Sequence, residues 1–204
     1  MKRSKRIAVL ALMFALIIIF NFVPISFGPV TIGLMILPVL IVAQVEDFKM
    51  TIACGLCLGL TNLLSWYTTK AGALLAPVFQ NPLVCILPRL FIGVVAYAVC
   101  HGFGKLIRPQ TVEQDGKNIV VNSKQMLASK NAVSAVSALS GVLTNTLLVG
   151  VMAVVCYHGK VIGGTAISIE FILGLFSVNF VIEAIAFSLL TPPIVFALNK
   201  IRIR

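Results

Sequence analysis

The chain has 204 residues, of which 59% are apolar and 11% are charged, and its formal net charge is +10. A soluble domain carries roughly 25% charged residues, so this chain has too few polar side chains to cover a water-soluble enzyme or nucleic-acid binder. Because a membrane span needs about 20 mostly apolar residues, the apolar content allows about six spans and leaves no room for a second folded domain.

Apolar runs separated by Pro, Gly and charged residues predict six spans within one membrane domain over residues 1–204. The predicted spans are residues 7–23, 30–45 (entered through Gly28-Pro29), 50–64, 83–107, 133–157 and 171–198. No small-residue cleavage site follows the first run, which favours a retained helix over a signal peptide. The polar segment 108–132 is predicted to be a hairpin or a flexible linker. The predicted fold is an all-α bundle of six transmembrane helices.

The basic residues predict the orientation of this bundle. With the N-terminus inside, thirteen of the sixteen Lys and Arg residues lie on the cytoplasmic side, whereas Lys70 and Lys160 lie outside and Arg89 lies within a span. Cytoplasmic loops are enriched in Lys and Arg. We therefore expect a multi-pass protein of the cell membrane with both termini in the cytoplasm.

The inventory of reactive side chains argues against catalysis. His101 and His158 fall on opposite sides of the predicted membrane, so they cannot share a metal. Cys54 and Cys57 lie one turn apart without further ligands, as two small apolar residues in a helix would. The chain has no Gly-rich phosphate loop. We expect no enzyme activity, no metal and no other cofactor, and any uphill transport must draw its energy from a partner.

Ionisable groups within spans are costly and therefore indicate function. Arg89 lies about two turns after Asn81, at the predicted outer end of the fourth span, and Pro88 before it frees a backbone carbonyl. Arg89 is either a cationic fork for a carboxylate or phosphate, or a structural group paired with Glu183 or a carbonyl. Asn179 and Glu183 are four residues apart and share a face of the sixth span.

Two further polar stripes lie on the third and fifth spans. Asn145 continues a face of small residues on the fifth span, so it is either a helix-packing group or a ligand contact. Gly55 and Gly59 form a G-x-x-x-G pattern typical of helix packing, and Asn62 and Trp66 continue that face.

Trp66 and Tyr67 are predicted to lie at the outer membrane interface. They belong either to an aromatic belt or to a lid formed by residues 65–81. Together with Asn62, Asn81, Arg89, Asn145, Asn179 and Glu183 they form the predicted substrate-binding set.

Ala11 and Ala15 form a flat strip on the first span, which suits packing within the chain or against another protein. The sequence resembles the substrate-specific S components of energy-coupling factor (ECF) transporters, in particular the riboflavin and pantothenate branch. The features that carry the resemblance are this alanine strip, the six spans, Phe27-Gly28-Pro29-Val30 and the stretch from Phe79 to Arg89.

The resemblance implies a binding protein that takes a vitamin from outside the cell. It implies docking, through Ala11 and Ala15, on a transmembrane coupling protein with two ATPase subunits. Pantothenate is the first candidate ligand, since Arg89 favours an anion, and riboflavin is the next. The alternatives are a non-transport scaffold of a cell-envelope complex, similar to MreD, and a small intramembrane enzyme, for which the chain offers no reactive constellation.

Overall fold

The computed structural model describes residues 3–23, 25–27, 30–73, 75–104, 111–114, 117–120, 123–162, 165–166 and 169–203. The helices are α1 (Arg3–Phe22), α2 (Leu37–Val45), α3 (Phe48–Tyr67), α4 (Ala76–Phe79), α5 (Pro82–Gly104), α6 (Ser123–Tyr157) and α7 (Ile169–Ile203). The antiparallel strand pairs are β1 (Ile25–Phe27) with β2 (Val30–Ile32), β3 (Thr111–Gln114) with β4 (Lys117–Val120), and β5 (Val161–Ile162) with β6 (Thr165–Ala166). The fold is a helical bundle whose connections include short hairpins.

The exterior of this bundle is apolar. Val155, Leu189 and Ile7 are 75%, 69% and 60% exposed, far more apolar surface than a soluble monomer shows. Within the described residues, four helical segments are long and apolar enough to cross a membrane, namely those in α3, α5, α6 and α7. The helical segments Arg6–Phe22 and Leu34–Val45 are apolar but shorter. Four of the six predicted spans fall in these four helices, and the six crossings remain a prediction.

The prediction of a continuous second span over residues 30–45 was wrong in its first half. Val30–Ile32 forms β2, Leu34–Ile36 forms one 3-10 turn, and α2 begins only at Leu37. Pro38 falls in the first turn of α2, where a missing N–H is tolerated. Residues 28 and 29, the predicted entry to this span, lie outside the described residues.

The predicted linker 108–132 is partly a hairpin and partly a helix. Strands β3 and β4 pair with Gln114 opposite Lys117, which confirms the hairpin. Helix α6, however, begins at Ser123, ten residues before the predicted span. At 1.5 Å per residue, its 35 residues extend about 52 Å, well beyond the roughly 30 Å hydrocarbon layer. The polar residues are therefore helix outside the membrane rather than loop. Residues 105–107, the predicted end of the fourth span, lie outside the described part.

Helix α2 lies in the centre of the bundle, because it is apolar on every side. All its residues from Pro38 to Val45 are buried. Around it, α3 approaches α5 closely through the G-x-x-x-G pair, as predicted. A Cβ at Gly55 would lie 3.1 Å from the Arg89 carbonyl oxygen, and one at Gly59 would lie 3.0 Å from the Ile86 Cα. This contact positions the first half of α5 against the middle turns of α3.

An ionic clamp fixes the opposite end of the bundle. Arg6 of α1 donates from Nε to Glu46 at 3.0 Å and from Nη2 to Asp47, both in the connection between α2 and α3. We call this the Arg6 end, and we call the end that carries the short helix α4 the α4 end.

Candidate functional site

Arg89 lies in the first half of α5 and is only 6% exposed. Because Pro88 has no N–H, the carbonyl of Val84 loses its helical donor, and Arg89 Nη1 donates to that oxygen at 3.1 Å. The predicted carbonyl contact is therefore present. Arg89 and Glu183, both described in the structure, form no ion pair within 4.0 Å, although their charges are close enough to interact electrostatically. This single bond occupies one of the five donors of the guanidinium.

Arg89 belongs to a stack at the α4 end that we call the cation–aromatic array (Lys70, Trp66, Phe79 and Arg89). The Trp66 and Phe79 rings stack with centroids 4.6 Å apart and 12° between their planes. Lys70 Nζ lies 5.4 Å from the Trp66 centroid, and Arg89 Cζ lies 5.5 Å from that of Phe79. Each of the two cations thus lies within cation–π distance of one ring of the stacked pair.

The two cations of the array disfavour each other. Burial and the positive charge of Arg89 lower the pKa of Lys70 below its ordinary value. Both effects oppose the charged form of a lysine. A bound anion near both cations would offset the repulsion between them and the cost of burying them, so the array is suited electrostatically to a negatively charged group.

Two buried side-chain amides and a buried serine hydroxyl lie beside the array, on the side of α1. We call this group the amide cluster (Asn21, Asn62 and Ser65), and its members are 0–1% exposed. Ser65 Oγ lies 3.3 Å from Asn21 Oδ1 and 3.4 Å from Asn62 Oδ1, and Lys70 Nζ lies 3.5 Å from Asn21 Oδ1. Nδ2 of both amides is buried without a hydrogen-bond partner among the described residues.

Two more polar atoms near this end are buried without a partner in the described part of the chain. Trp66 has an unpaired Nε1 and Asn145 of α6 an unpaired Oδ1. Leaving a buried polar group unsatisfied costs about 1–3 kcal/mol, and such groups are few in native proteins. A ligand with several acceptors and a hydroxyl group would satisfy them. The candidate ligand contacts among the predicted residues are therefore Asn62, Trp66, Arg89 and Asn145.

Tyr67 and Asn81 have structural contacts instead. Tyr67 is 58% exposed, and its hydroxyl donates to the Gln80 carbonyl at 3.1 Å. Gln80 Nε2 in turn donates to the Trp66 carbonyl at 3.1 Å. Asn81 Oδ1 accepts from the Leu83 amide at 3.0 Å and so caps α5. These contacts hold the loop before α5 against α3, beside the array.

Helix α4 also packs against α6. The hydroxyl of Tyr157 donates to the Pro77 carbonyl at 2.9 Å. Phe79 and Val78 of α4 pack in one apolar cluster with Val84 of α5 and with Val149 and Ala153 of α6. The predicted loop cover over residues 65–81 therefore contains a helical turn that carries Phe79 into the array.

Glu183 of α7 is buried and accepts from the Gly33 amide at 2.9 Å. It thereby ties the segment before α2 to α7. A Cβ at residue 33 would lie 2.8 Å from the accepting Oε1. Asn179, one turn earlier on α7, is half-buried. Glu183 therefore has a backbone amide as its bonded partner, with Arg89 as a more distant opposite charge.

Gly33→Ala is expected to lower the thermal stability of the protein, because the new Cβ displaces the carboxylate of Glu183 from the amide. The loss of one charge-assisted hydrogen bond corresponds to about 1.5–3 kcal/mol. Thermal unfolding of the purified protein would measure it. Gly72→Ala is the matched control, since nothing lies within 4 Å of a Cβ there. Equal unfolding temperatures of the two variants would contradict the role of Glu183.

The predicted docking strip lies on the outside of α1. Ala11 and Ala15 are exposed, whereas Met13, Ile17 and Asn21 point into the bundle. The alanines are therefore free to contact lipid or another protein, and they do not serve as a packing face within the bundle.

Four members of this site, Asn21, Ser65, Lys70 and Phe79, are not among the residues predicted from the sequence. In the sequence, Phe79 begins the stretch that leads into the fourth span, Ser65 begins the predicted outer loop, and Lys70 is one of two basic residues predicted outside. Asn21 lies near the end of the first apolar run. The signal for Asn21 was available, because an amide within an apolar run is costly wherever it lacks a partner.

The fold and its apolar exterior define a helical integral membrane protein. The family model for the substrate-specific component of ECF transporters matches residues 5–195, so the chain belongs to this family. The resemblance to the S components of ECF transporters is confirmed at the level of the family. The family is a transporter component rather than an enzyme class or an envelope scaffold.

A solved structure of ThiT from Listeria monocytogenes is similar in fold, with a TM-score of 0.65. The alignment covers 96% of this chain and 97% of the other at 16% sequence identity. Identity this low shows the shared fold alone. No match was found among curated protein sequences.

Proposed function

We propose that the α4 end holds a small anionic vitamin, taken from outside the cell and released into the cytoplasm. The observation that carries this proposal is the pair of cations, buried Arg89 and half-buried Lys70, against two stacked rings, beside amide and indole donors that lack partners among the described residues. A site with more free donors than acceptors selects a ligand rich in acceptors. Charge-assisted bonds to a carboxylate are the strongest of this kind.

Pantothenate is the first candidate, and riboflavin is the second. Pantothenate offers a carboxylate to Arg89 or Lys70, and its amide and hydroxyl groups suit Asn62, Trp66 and Asn145. Riboflavin is neutral and offers ring carbonyls, and its flat ring would have to enter between Trp66 and Phe79. Asn179 of α7 is proposed as a further polar contact, and Glu183 positions the segment before α2 and balances the charge of Arg89.

The direction of transport follows from the distribution of basic residues. Six crossings with both termini in the cytoplasm place the α4 end outside and the Arg6 end inside. Energy would come from the ECF module, a transmembrane coupling protein with two ATPase subunits. The exposed Ala11 and Ala15 are the proposed docking contact, since small residues allow close approach of helices in a membrane.

A binding panel tests this proposal. Purified protein in detergent is titrated with pantothenate, riboflavin and thiamine, the last being a cationic vitamin, while unfolding is followed with temperature. Pantothenate is expected to stabilise the protein saturably, by about 2.7 kcal/mol at one hundred times its Kd. Thiamine is expected to have no effect. Stabilisation by thiamine alone would contradict an anionic ligand, and no stabilisation by any of the three would contradict the proposed ligand class.

A further inference from the structure

The inner face of α1 ends in a polar group. Met13, Ile17 and Asn21 recur every four residues and are 4%, 0% and 1% exposed, so they form the buried stripe of this helix. The first two pack in the apolar core. Asn21 occupies the last position of the stripe, where it meets Ser65 of α3 and Lys70.

The orientation of the Asn21 amide is determined by its neighbours. An ammonium group can only donate, so the atom facing Lys70 Nζ at 3.5 Å must be Oδ1. Nδ2 therefore points away from Lys70, and it is buried without a partner in the described residues. The contacts of Oδ1 therefore fix the orientation of the Asn21 side chain and leave its Nδ2 as the available donor.

Asn62 adds a second donor at the same place. The carboxamide oxygens of Asn21 and Asn62 both lie within 3.4 Å of the Ser65 hydroxyl, so the two amides are neighbours. The one hydroxyl hydrogen has a closer acceptor in the Asn62 main-chain carbonyl, at 2.8 Å. Nothing in the cluster accepts from the two Nδ2 groups.

Lys70 connects this cluster with the cation–aromatic array. Its Nζ lies 5.4 Å from the Trp66 ring and interacts electrostatically with Arg89. Trp66 also follows Asn62 by one turn on the same face of α3. The amide cluster and the array are therefore parts of one polar region.

We propose that Asn21 makes α1 part of the substrate site, with Nδ2 of Asn21 and Asn62 donating to a carboxylate or carbonyl oxygen of the bound substrate. This inference rests on the proposed function. It gives α1 two contacts: substrate on its inner face and, through Ala11 and Ala15, the coupling partner on its outer face. The helix that docks is then also a helix that senses whether the site is filled.

Asn21→Asp isolates the donor. The aspartate keeps an acceptor for Lys70 and Ser65 and removes only the N–H group, at the expense of one unit of charge. Lys70→Gln is the matched control for charge, because it lowers the charge equally and leaves Nδ2 of Asn21 intact. Pantothenate affinity, measured by calorimetry on the full chain, is expected to fall at least tenfold further in Asn21→Asp than in Lys70→Gln.

A neutral variant tests the same donor without adding a charge that could change the affinity or prevent folding. Asn21→Ser is smaller and uncharged, cannot extend a donor as far, and is expected to bind at least fivefold more weakly than wild type. If Asn21→Asp binds no more weakly than Lys70→Gln and Asn21→Ser binds as tightly as wild type, while Arg89→Met loses affinity, this inference is overturned and the proposed function stands. If wild type binds none of the vitamins, the proposed function fails and the role of Asn21 fails with it.

Discussion

Arg89→Met is expected to weaken binding of pantothenate at least tenfold. Hydrogen bonds that involve a charged group contribute about 1.5–3 kcal/mol, which corresponds to roughly ten- to 150-fold in Kd. Methionine has a similar length and no charge, so it leaves neither a large cavity nor a buried ion. The measurement is calorimetric titration of the purified variant beside wild type.

Two controls separate binding from folding in this variant. Thermal unfolding without ligand should be close to that of wild type, since the substitution also removes a costly charge from the interior. Arg89→Lys keeps the charge but loses the planar fork, so it should bind between wild type and Arg89→Met. Unchanged affinity of Arg89→Met would remove Arg89 from the site and leave its bond to the Val84 carbonyl as its role.

The parts of the fold that the sequence could predict are those set by local composition. Long apolar runs identified α3, α5, α6 and α7, and the Gly55 and Gly59 spacing identified the contact of α3 with α5. The break before α2 and the early start of α6 were missed. Hydropathy reports burial in lipid and does not report where a helix starts. The start of α2 depends on Pro38, and the start of α6 depends on polar residues that favour helix.

The candidate site shows the same division. Arg89 was identifiable because a charge within a span requires an explanation, and its carbonyl partner followed from the adjacent Pro88. The contacts of Lys70 and Phe79 depend on how the loop before α5 folds back onto α3 and α6. Such contacts between distant residues leave no periodic signal. The bonded partner of Glu183 was missed for the same reason, because it is the backbone amide of Gly33.

Ala15→Trp is expected to abolish vitamin uptake while leaving vitamin binding unchanged. Ala15 is exposed on α1, on the face opposite the buried stripe that ends in Asn21. An indole on this face prevents close approach of another helix, but it does not enter the bundle. Uptake of labelled pantothenate would be measured in cells that carry the coupling protein and ATPases, and affinity would be measured on the purified variant.

The comparison that decides this prediction is Leu147→Trp. Leu147 lies on α6 and is 57% exposed, so tryptophan there also faces out of the bundle, but on another helix. We expect normal uptake and normal binding. Loss of uptake in both variants would indicate a general effect of added bulk in the membrane, and normal uptake with Ala15→Trp would refute docking through this strip. Loss of uptake in Ala15→Trp alone, with affinity intact, requires that α1 acts at a step after substrate capture, as a coupling contact must.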